Sequence, residues 1–247
     1  MSTSLRAGNV WLNGGRWAKL SLPTLPPLVS PTKLQDPDAT NTNGTPHVSS
    51  TDIDISANAD DTSIPLFSSK LLCRIDWGQR KSIFKSNISP SWPGDNLVLR
   101  PLRSDDYAKG YMRVLSQLTK TGDVCCEDFS ARFKSMLNCP STYFIIVLED
   151  TRTGAVIGSG SLIVEQKFIH SAGLRGRIED IVVLNEYRGK QLGKLLLETL
   201  TLLGRSLRCY KLSLECKDAI VEFYEQFGYR KDIGNNFMIQ RFDEFDV

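Results

Sequence analysis

The stretch Ile178-Glu179-Asp180-Ile181-Val182-Val183-Leu184-Asn185-Glu186-Tyr187-Arg188-Gly189-Lys190-Gln191-Leu192-Gly193-Lys194 decides how this chain folds. Its first half is a β-branched apolar run and its middle carries turn residues. From Gln191 onward, apolar residues recur at Leu192, Leu195, Leu196, Leu200, Leu203 and Leu207 with a helical period. A strand, a glycine-bearing turn and a helix start thus follow one another, and the free N–H groups of the helix N-terminus face an anion. A pyrophosphate fits there. Arg188, Lys190 and Lys194 add positive charge, and Gly189 and Gly193 let a ligand approach the backbone closely. The same spacing also suits an ordinary strand–turn–helix with solvated basic residues, because short glycine motifs are weakly specific.

Outward from this stretch, clean elements alternate with turn residues. Leu97 to Arg100 reads as a strand, and Ser104-Asp105-Asp106 caps a helix reaching Leu118, with acids at the positive end of its dipole. A second helix covers Glu127 to Leu137. Thr142 to Leu148 and Ala155 to Glu165 form a hairpin around Asp150-Thr151-Arg152-Thr153-Gly154, and Arg177 to Leu184 is the next strand. After the long helix, Lys211 to Leu214 is a strand and Ala219 to Phe227 a short helix stopped by Gly228. Phe237 to Phe242 closes the domain as a strand. The order is βααβββαβαβ, an α/β arrangement with a mixed sheet covered by helices.

Residues 97–247 are the folded domain and 65–96 its lead-in segment. Residues 1–64 are rich in Ser, Thr, Asn, Asp and Pro, and Pro23, Pro26, Pro27, Pro31, Pro37 and Pro46 break any regular period, so this part reads as a disordered extension. Its first 35 residues hold Arg6, Arg16, Lys19 and Lys33 and no acid, a pattern shared by organelle presequences and membrane-surface anchors. Gly14-Gly15 interrupts any amphipathic helix there.

The chain has 247 residues, 41% of them hydrophobic, enough for a substantial core. Thirty Lys and Arg against 28 Asp and Glu leave a net charge of +2 without a basic stripe, which argues against nucleic acid as a partner. Cys73, Cys125, Cys126, Cys139, Cys209 and Cys216 include no C-x-x-C pair, and with His47 and His170 they make a poor metal framework. They read as reduced thiols of a cytoplasmic protein, with peripheral attachment to intracellular membranes as the open alternative. No apolar run approaches the ~20 residues that span a bilayer.

Two carboxyls at Glu179 and Asp180 inside an apolar run are costly to desolvate without partners, which marks them as functional candidates. On a regular strand these neighbours point to opposite faces. Tyr224, on the short helix, is read either as a packed tyrosine with a satisfied hydroxyl or as a functional one.

Arg188 to Gly193 resembles the acetyl-CoA turn of the GNAT superfamily, with Gln191 where a central glycine is usual. Arg188-Gly189-Lys190-Gln191-Leu192-Gly193-Lys194 is similar to the form found in animal glucosamine 6-phosphate N-acetyltransferases. Asn96 to Leu102, Gln117 to Gly122, Lys167 to Ser171, and Phe223-Tyr224 through Phe227-Gly228-Tyr229 resemble that family in the same order. The likeness runs from about residue 65 to 242, and residues 1–64 have no counterpart in it.

The resemblance implies the GNAT fold, acetyl-CoA as co-substrate and no metal. It implies a β-bulge at Glu179-Asp180 that re-aims side chains and frees a backbone N–H for the thioester oxygen. Glu179 and Asp180 then hold the substrate amine and help remove its proton, and Tyr224 serves the departing thiolate. Thr119, Lys167, Phe168, Ile169, His170, Ile181, Tyr210, Lys211 and Arg241 are the further substrate candidates. Ile181, Val182, Val183, Arg188, Gly189, Lys190, Gln191, Leu192, Gly193, Lys194, Glu215 and Tyr224 are those for acetyl-CoA. The terminal strand carrying Arg241 implies a homodimer with a shared site. Ile220 departs from the family's asparagine. Two rivals remain: an acetyltransferase for a protein or polyamine, which would favour an acidic groove, and a non-catalytic acyl-CoA-binding module.

Overall fold

A computed structural model describes residues 63–85 and 87–242, and the backbone of residues 9–12 and 16–19. The two short pieces form a unit of their own, in which β1 (Asn9–Leu12) pairs antiparallel with β2 (Arg16–Lys19). This hairpin is an exception to the expected unstructured extension. The prolines behind that expectation begin at Pro23, after both strands. The other residues up to 62, and 243–247, lie outside the described residues.

The lead-in segment packs on the domain that follows. Leu66 and Ile88 are buried in the core, and the Leu66 N–H donates to the Leu102 carbonyl at 2.8 Å. A helical turn, α1 (Lys70–Cys73), precedes a 3-10 turn at Trp77–Gln79, whose Asp76 cap accepts the Gly78 N–H at 3.0 Å.

Five strands form one sheet in the order β3 (Leu97–Pro101), β4 (Tyr143–Asp150), β5 (Ala155–Gln166), β6 (Leu174–Val183) and β7 (Cys209–Ser213). Neighbours from β3 to β6 are antiparallel, whereas β6 and β7 are parallel. A parallel pair needs a crossover, and α5 (Leu192–Ser206) provides it. Leu195, Leu196, Leu197, Leu200 and Leu203 of α5 are fully buried, each contributing roughly 1.5–3 kcal/mol before the entropy of ordering is subtracted.

The pairing of β6 with β7 stops at Arg177 opposite Ser213, while β6 continues to Val183 against β5 alone. The two parallel strands therefore part beside residues 178–183. A second irregularity lies in the same half of β6. Ser159 pairs with Val182 and Ser161 with Glu179, so Gly160 faces two residues, Asp180 and Ile181. This is a β-bulge, and Asp180 takes the left-handed φ of 54° within it.

Three expectations need correction. The first helix is only α2 (Tyr111–Leu115), entered through Gly110 at φ 84°. Asp106, expected to charge a helix start, is fully buried instead. It holds Arg100 through two bonds of 2.8 and 2.7 Å and accepts the Arg103 N–H at 2.7 Å, which keeps residues 104–110 in turns. The helix α3 (Cys126–Leu137) forms as expected. After Asp218–Ile220, a 3-10 turn, α6 (Val221–Glu225) is shorter than Ala219 to Phe227, although Gly228 does take the left-handed conformation, φ 86°. The closing strand over Phe237 to Phe242 does not form in the described chain. A strand needs a neighbour to satisfy its backbone, and none of the described strands pairs with this segment.

Candidate active site

The site grows from the place where β6 leaves β7. A cavity of about 270 Å³ is lined there by Ile181, Val182 and Val183 at the end of β6, and by Arg188, Gly189, Gln191, Leu192 and Gly193 of the turn into α5. The first bond of α5 runs from the Leu195 N–H to the Gln191 carbonyl at 2.9 Å, so the N–H groups of residues 192–194 precede the helical ladder. Gly189 has φ 81° and open space where a Cβ would stand. Free donors, a positive helix end and an uncrowded turn suit a bound pyrophosphate.

The remaining wall comes from residues that the sequence reading missed: Gln117, Leu118 and Tyr187. The Gln117 Oε1 accepts the Asn185 N–H at 2.9 Å, and the Tyr187 hydroxyl donates to the Asp150 Oδ2 at 2.8 Å. Bonds from Arg152 and Tyr187 hold the buried Asp150 carboxyl well below the usual carboxylate range. The Gln117–Asn185 and Tyr187–Asp150 contacts are long-range and leave no periodic signal along the chain.

Not every cation of the turn faces the cavity. Arg188 Nε donates to the Val183 carbonyl at 3.2 Å, and Lys190 Nζ lies 5.2 Å from the Tyr187 ring centroid. Lys194 Nζ instead donates to the Ile83 carbonyl at 2.5 Å and to the Gln226 Oε1 at 3.2 Å. Lys190, Lys194, Glu215 and Tyr224 are absent from the cavity lining.

On β6, Arg175, Arg177 and Glu179 alternate along one face. Arg177 Nε lies 2.8 Å from Glu179 Oε1, and Arg175 Nη2 donates to the Ser213 Oγ at 3.1 Å. Burial pushes the Glu179 carboxyl up, Arg177 opposes it, and the charges of Asp180 and Glu215 push the same way as burial. Surrounding protein also pushes Asp180 up, although its side chain lies on the open face of the bulge. The period-two spacing of Arg175 and Arg177 with Glu179 was legible in the sequence and would have found both arginines.

Tyr224 sits on α6, half-buried, with its ring edge-on to Phe223 at 5.2 Å. Among the described residues none hydrogen-bonds its hydroxyl. Burial, and then the Cys216 thiol, push its pKa up, which keeps the phenol protonated.

Of the substrate candidates, the structure brings His170 and Tyr210 together, with ring centroids 4.2 Å apart. His170 belongs to α4 (Ile169–Ala172), a turn in which His170 and Ser171 have left-handed φ of 55° and 57°. Phe168 and Ile169 project from it into solvent. Lys167 is paired with Glu165. Tyr210 and Lys211 line a second cavity of about 410 Å³ along the edge of β7. Thr119 is exposed just after Leu118. Arg241 is exposed outside regular structure, and the described chain does not bring it to the cleft. Ile220 ends the 3-10 turn and is exposed. Among the described residues no cluster of three or more His, Cys, Asp or Glu could hold a metal ion, and no helix is long and apolar enough to cross a membrane.

Comparisons with known proteins agree with this geometry. The sequence model of the Acetyltransferase (GNAT) family matches residues 111–229. A Drosophila melanogaster protein named probable glucosamine 6-phosphate N-acetyltransferase is 46% identical over 181 residues, 72% of this chain and 82% of its own length. Glucosamine 6-phosphate N-acetyltransferase 1 of Dictyostelium discoideum is 44% identical over 137 residues, 56% of this chain and 87% of its own length. The crystal structure of the Arabidopsis thaliana glucosamine-6-phosphate N-acetyltransferase superposes with a TM-score of 0.56 at 34% identity, covering 60% of this chain and 99% of that one. A bulged β6 that parts from β7 over a helix N-terminus, in a chain so similar to the Drosophila protein over most of its length, places it: this chain belongs to the glucosamine 6-phosphate N-acetyltransferase family of GNAT acetyltransferases.

Proposed function

We propose that this chain transfers the acetyl group of acetyl-CoA to the 2-amino group of glucosamine 6-phosphate, giving N-acetylglucosamine 6-phosphate and CoA for UDP-N-acetylglucosamine synthesis. The observation that carries this reading is the bulge at Asp180. It sets two raised carboxyls beside the gap between β6 and β7, at the end of the strand that leads into the α5 turn.

Acetyl-CoA supplies an activated acyl carbon. The chain's part is placement and proton handling. The α5 N-terminus and the Gly189 turn hold the pyrophosphate, and Ile181 to Val183 wall the cavity beside it. The bulge leaves one backbone N–H of β6 out of the ladder, where it donates to the developing oxyanion. Asp180 or Glu179, once ionised, takes the proton of the amine, because only the neutral amine attacks. Tyr224, protonated and without a hydrogen-bond partner among the described residues, donates to the leaving sulfur. No covalent enzyme intermediate is required. Arg175, Arg177, Lys167 and Lys211 favour an anionic acceptor over a polyamine.

A homodimer completes the site in this reading. Phe237 and Met238 are 66% and 87% exposed on a segment that pairs with no strand among the described residues, where β7 is likewise an unpaired sheet edge. A second copy supplies the partner and brings Arg241 toward the sugar phosphate. All six cysteines are unpaired, which supports a reducing, cytoplasmic compartment.

The deciding assay follows CoA release with amino sugars, their 6-phosphates, spermidine and peptides as acceptors. Glucosamine 6-phosphate is expected to be preferred. Preference for an amine without phosphate overturns the substrate assignment, and no release with any acceptor favours a binding module.

A further inference from the structure

Gln191 occupies a costly conformation. It enters α5 with a left-handed φ of 61°, where a glycine would carry no steric penalty. Gln191 borders the cavity, and its Oε1 accepts the Lys85 N–H at 2.8 Å across 106 positions of sequence. Three residues on, Lys194 Nζ reaches the Ile83 carbonyl at 2.5 Å, with its charge 5.3 Å from the Phe84 ring centroid and 5.9 Å from that of Phe227. One turn further, Glu198 is 1% exposed and accepts the N–H groups of Lys81 and Ser82 at 3.2 and 3.1 Å, and also the Ser82 hydroxyl. Positions 191, 194 and 198 share one helix face. Residues 81–85 therefore form a strap fastened along the first two turns of α5, and Lys194 also bonds Gln226, the residue that caps the end of α6.

We propose that Gln191 and Lys194 are positioning residues through which this strap holds the acetyl-CoA turn in its binding geometry, an inference that rests on the acetyl-CoA reading above. A glycine at 191 would relax the turn and lose the strap. Glutamine accepts the left-handed backbone because its amide gains the Lys85 N–H, and the Lys194 ammonium fastens the lead-in segment instead of meeting the pyrophosphate.

The test uses the full chain with acetyl-CoA. Gln191→Met keeps the length and the left-handed cost of the side chain and removes the acceptor. Lys194→Met removes the second fastening. Loss of one such bond predicts a rise of roughly 3-fold to 10-fold in the Kd and KM for acetyl-CoA, with kcat changed less than about 2-fold. A merely structural strap would lower the Tm and leave both constants alone. In the wild type, acetyl-CoA should slow amide hydrogen exchange in residues 81–85 together with residues 188–194, a measurement that needs no variant to fold. Protection of 188–194 without 81–85, or variants with unchanged acetyl-CoA constants, overturns the proposal alone. A wild-type chain that binds no acetyl-CoA overturns the functional reading and this proposal with it.

Discussion

Gly160 and Ile181 are packed so closely that a Cβ on Gly160 would stand 2.5 Å from the Ile181 Cδ1. A Cβ there would also lie 3.0 Å from the Leu200 Cδ1, so sheet and helix crowd the same point. The bare backbone at Gly160 leaves room for the Ile181 and Leu200 side chains opposite the bulge. Gly160→Ala should therefore cost about 1–3 kcal/mol, as overpacking does, and lower kcat more than a remote substitution of equal cost. Thermal melts and steady-state kinetics on the same preparation check this. A stable, fully active variant would show that the bulge needs no glycine opposite.

In the proposed mechanism Asp180 serves as an acid–base group at the expense of stability. Its carboxyl is raised in the folded state, so the native protein binds the proton more tightly than the unfolded chain does. That contribution is present below the ordinary Asp range and is lost as pH rises through the raised value. Asp180→Asn should then melt higher than wild type at pH 7, with the gain shrinking as pH falls through the ordinary Asp range. Glu179 offers the matching kinetic measurement. Arg177 holds its carboxyl down, so Arg177→Met should shift the acid limb of kcat/KM to higher pH if Glu179 is the base, and leave the limb in place if Asp180 is.

Tyr224→Phe separates chemistry from packing. The ring contacts with Phe223 and Tyr229 survive the change, and no hydrogen bond among the described residues is lost. The Tm should stay near wild type, while kcat falls by roughly 10-fold to 10³-fold with both KM values little changed. An active variant would remove Tyr224 from the mechanism.

Arg241→Ala should raise the KM for glucosamine 6-phosphate by an amount worth about 2 kcal/mol, far more than it raises that for acetyl-CoA. Mixed dimers carry the structural claim. Subunits with Arg241→Ala and with Asp180→Ala, assayed at glucosamine 6-phosphate well below the raised KM, where each is strongly impaired alone, should regain activity when exchanged. A chain that sediments as a monomer under assay conditions refutes the shared site.

The local pattern of the chain determined a good deal by itself. Apolar period and turn chemistry were enough for α3, the β4–β5 hairpin, β6 and the long helix α5, because each buries a face whose spacing is written along the chain. The turn from Arg188 to Gly193 was legible for the same reason, since strand, glycine and helix start are adjacent in sequence. What tertiary structure decided was how side chains distant in sequence divide the work. Asp106 looked like a helix-start acid until Arg100 and the Arg103 N–H captured it, and Lys194 looked like a pyrophosphate cation until Ile83 and Gln226 took its donors. Neither competition is visible locally, because each partner is brought in by the sheet or by the lead-in segment. The strand over Phe237 to Phe242 failed for a related reason. Its apolar pattern marks a strand, but a strand exists only when another backbone pairs with it, and the described chain supplies none.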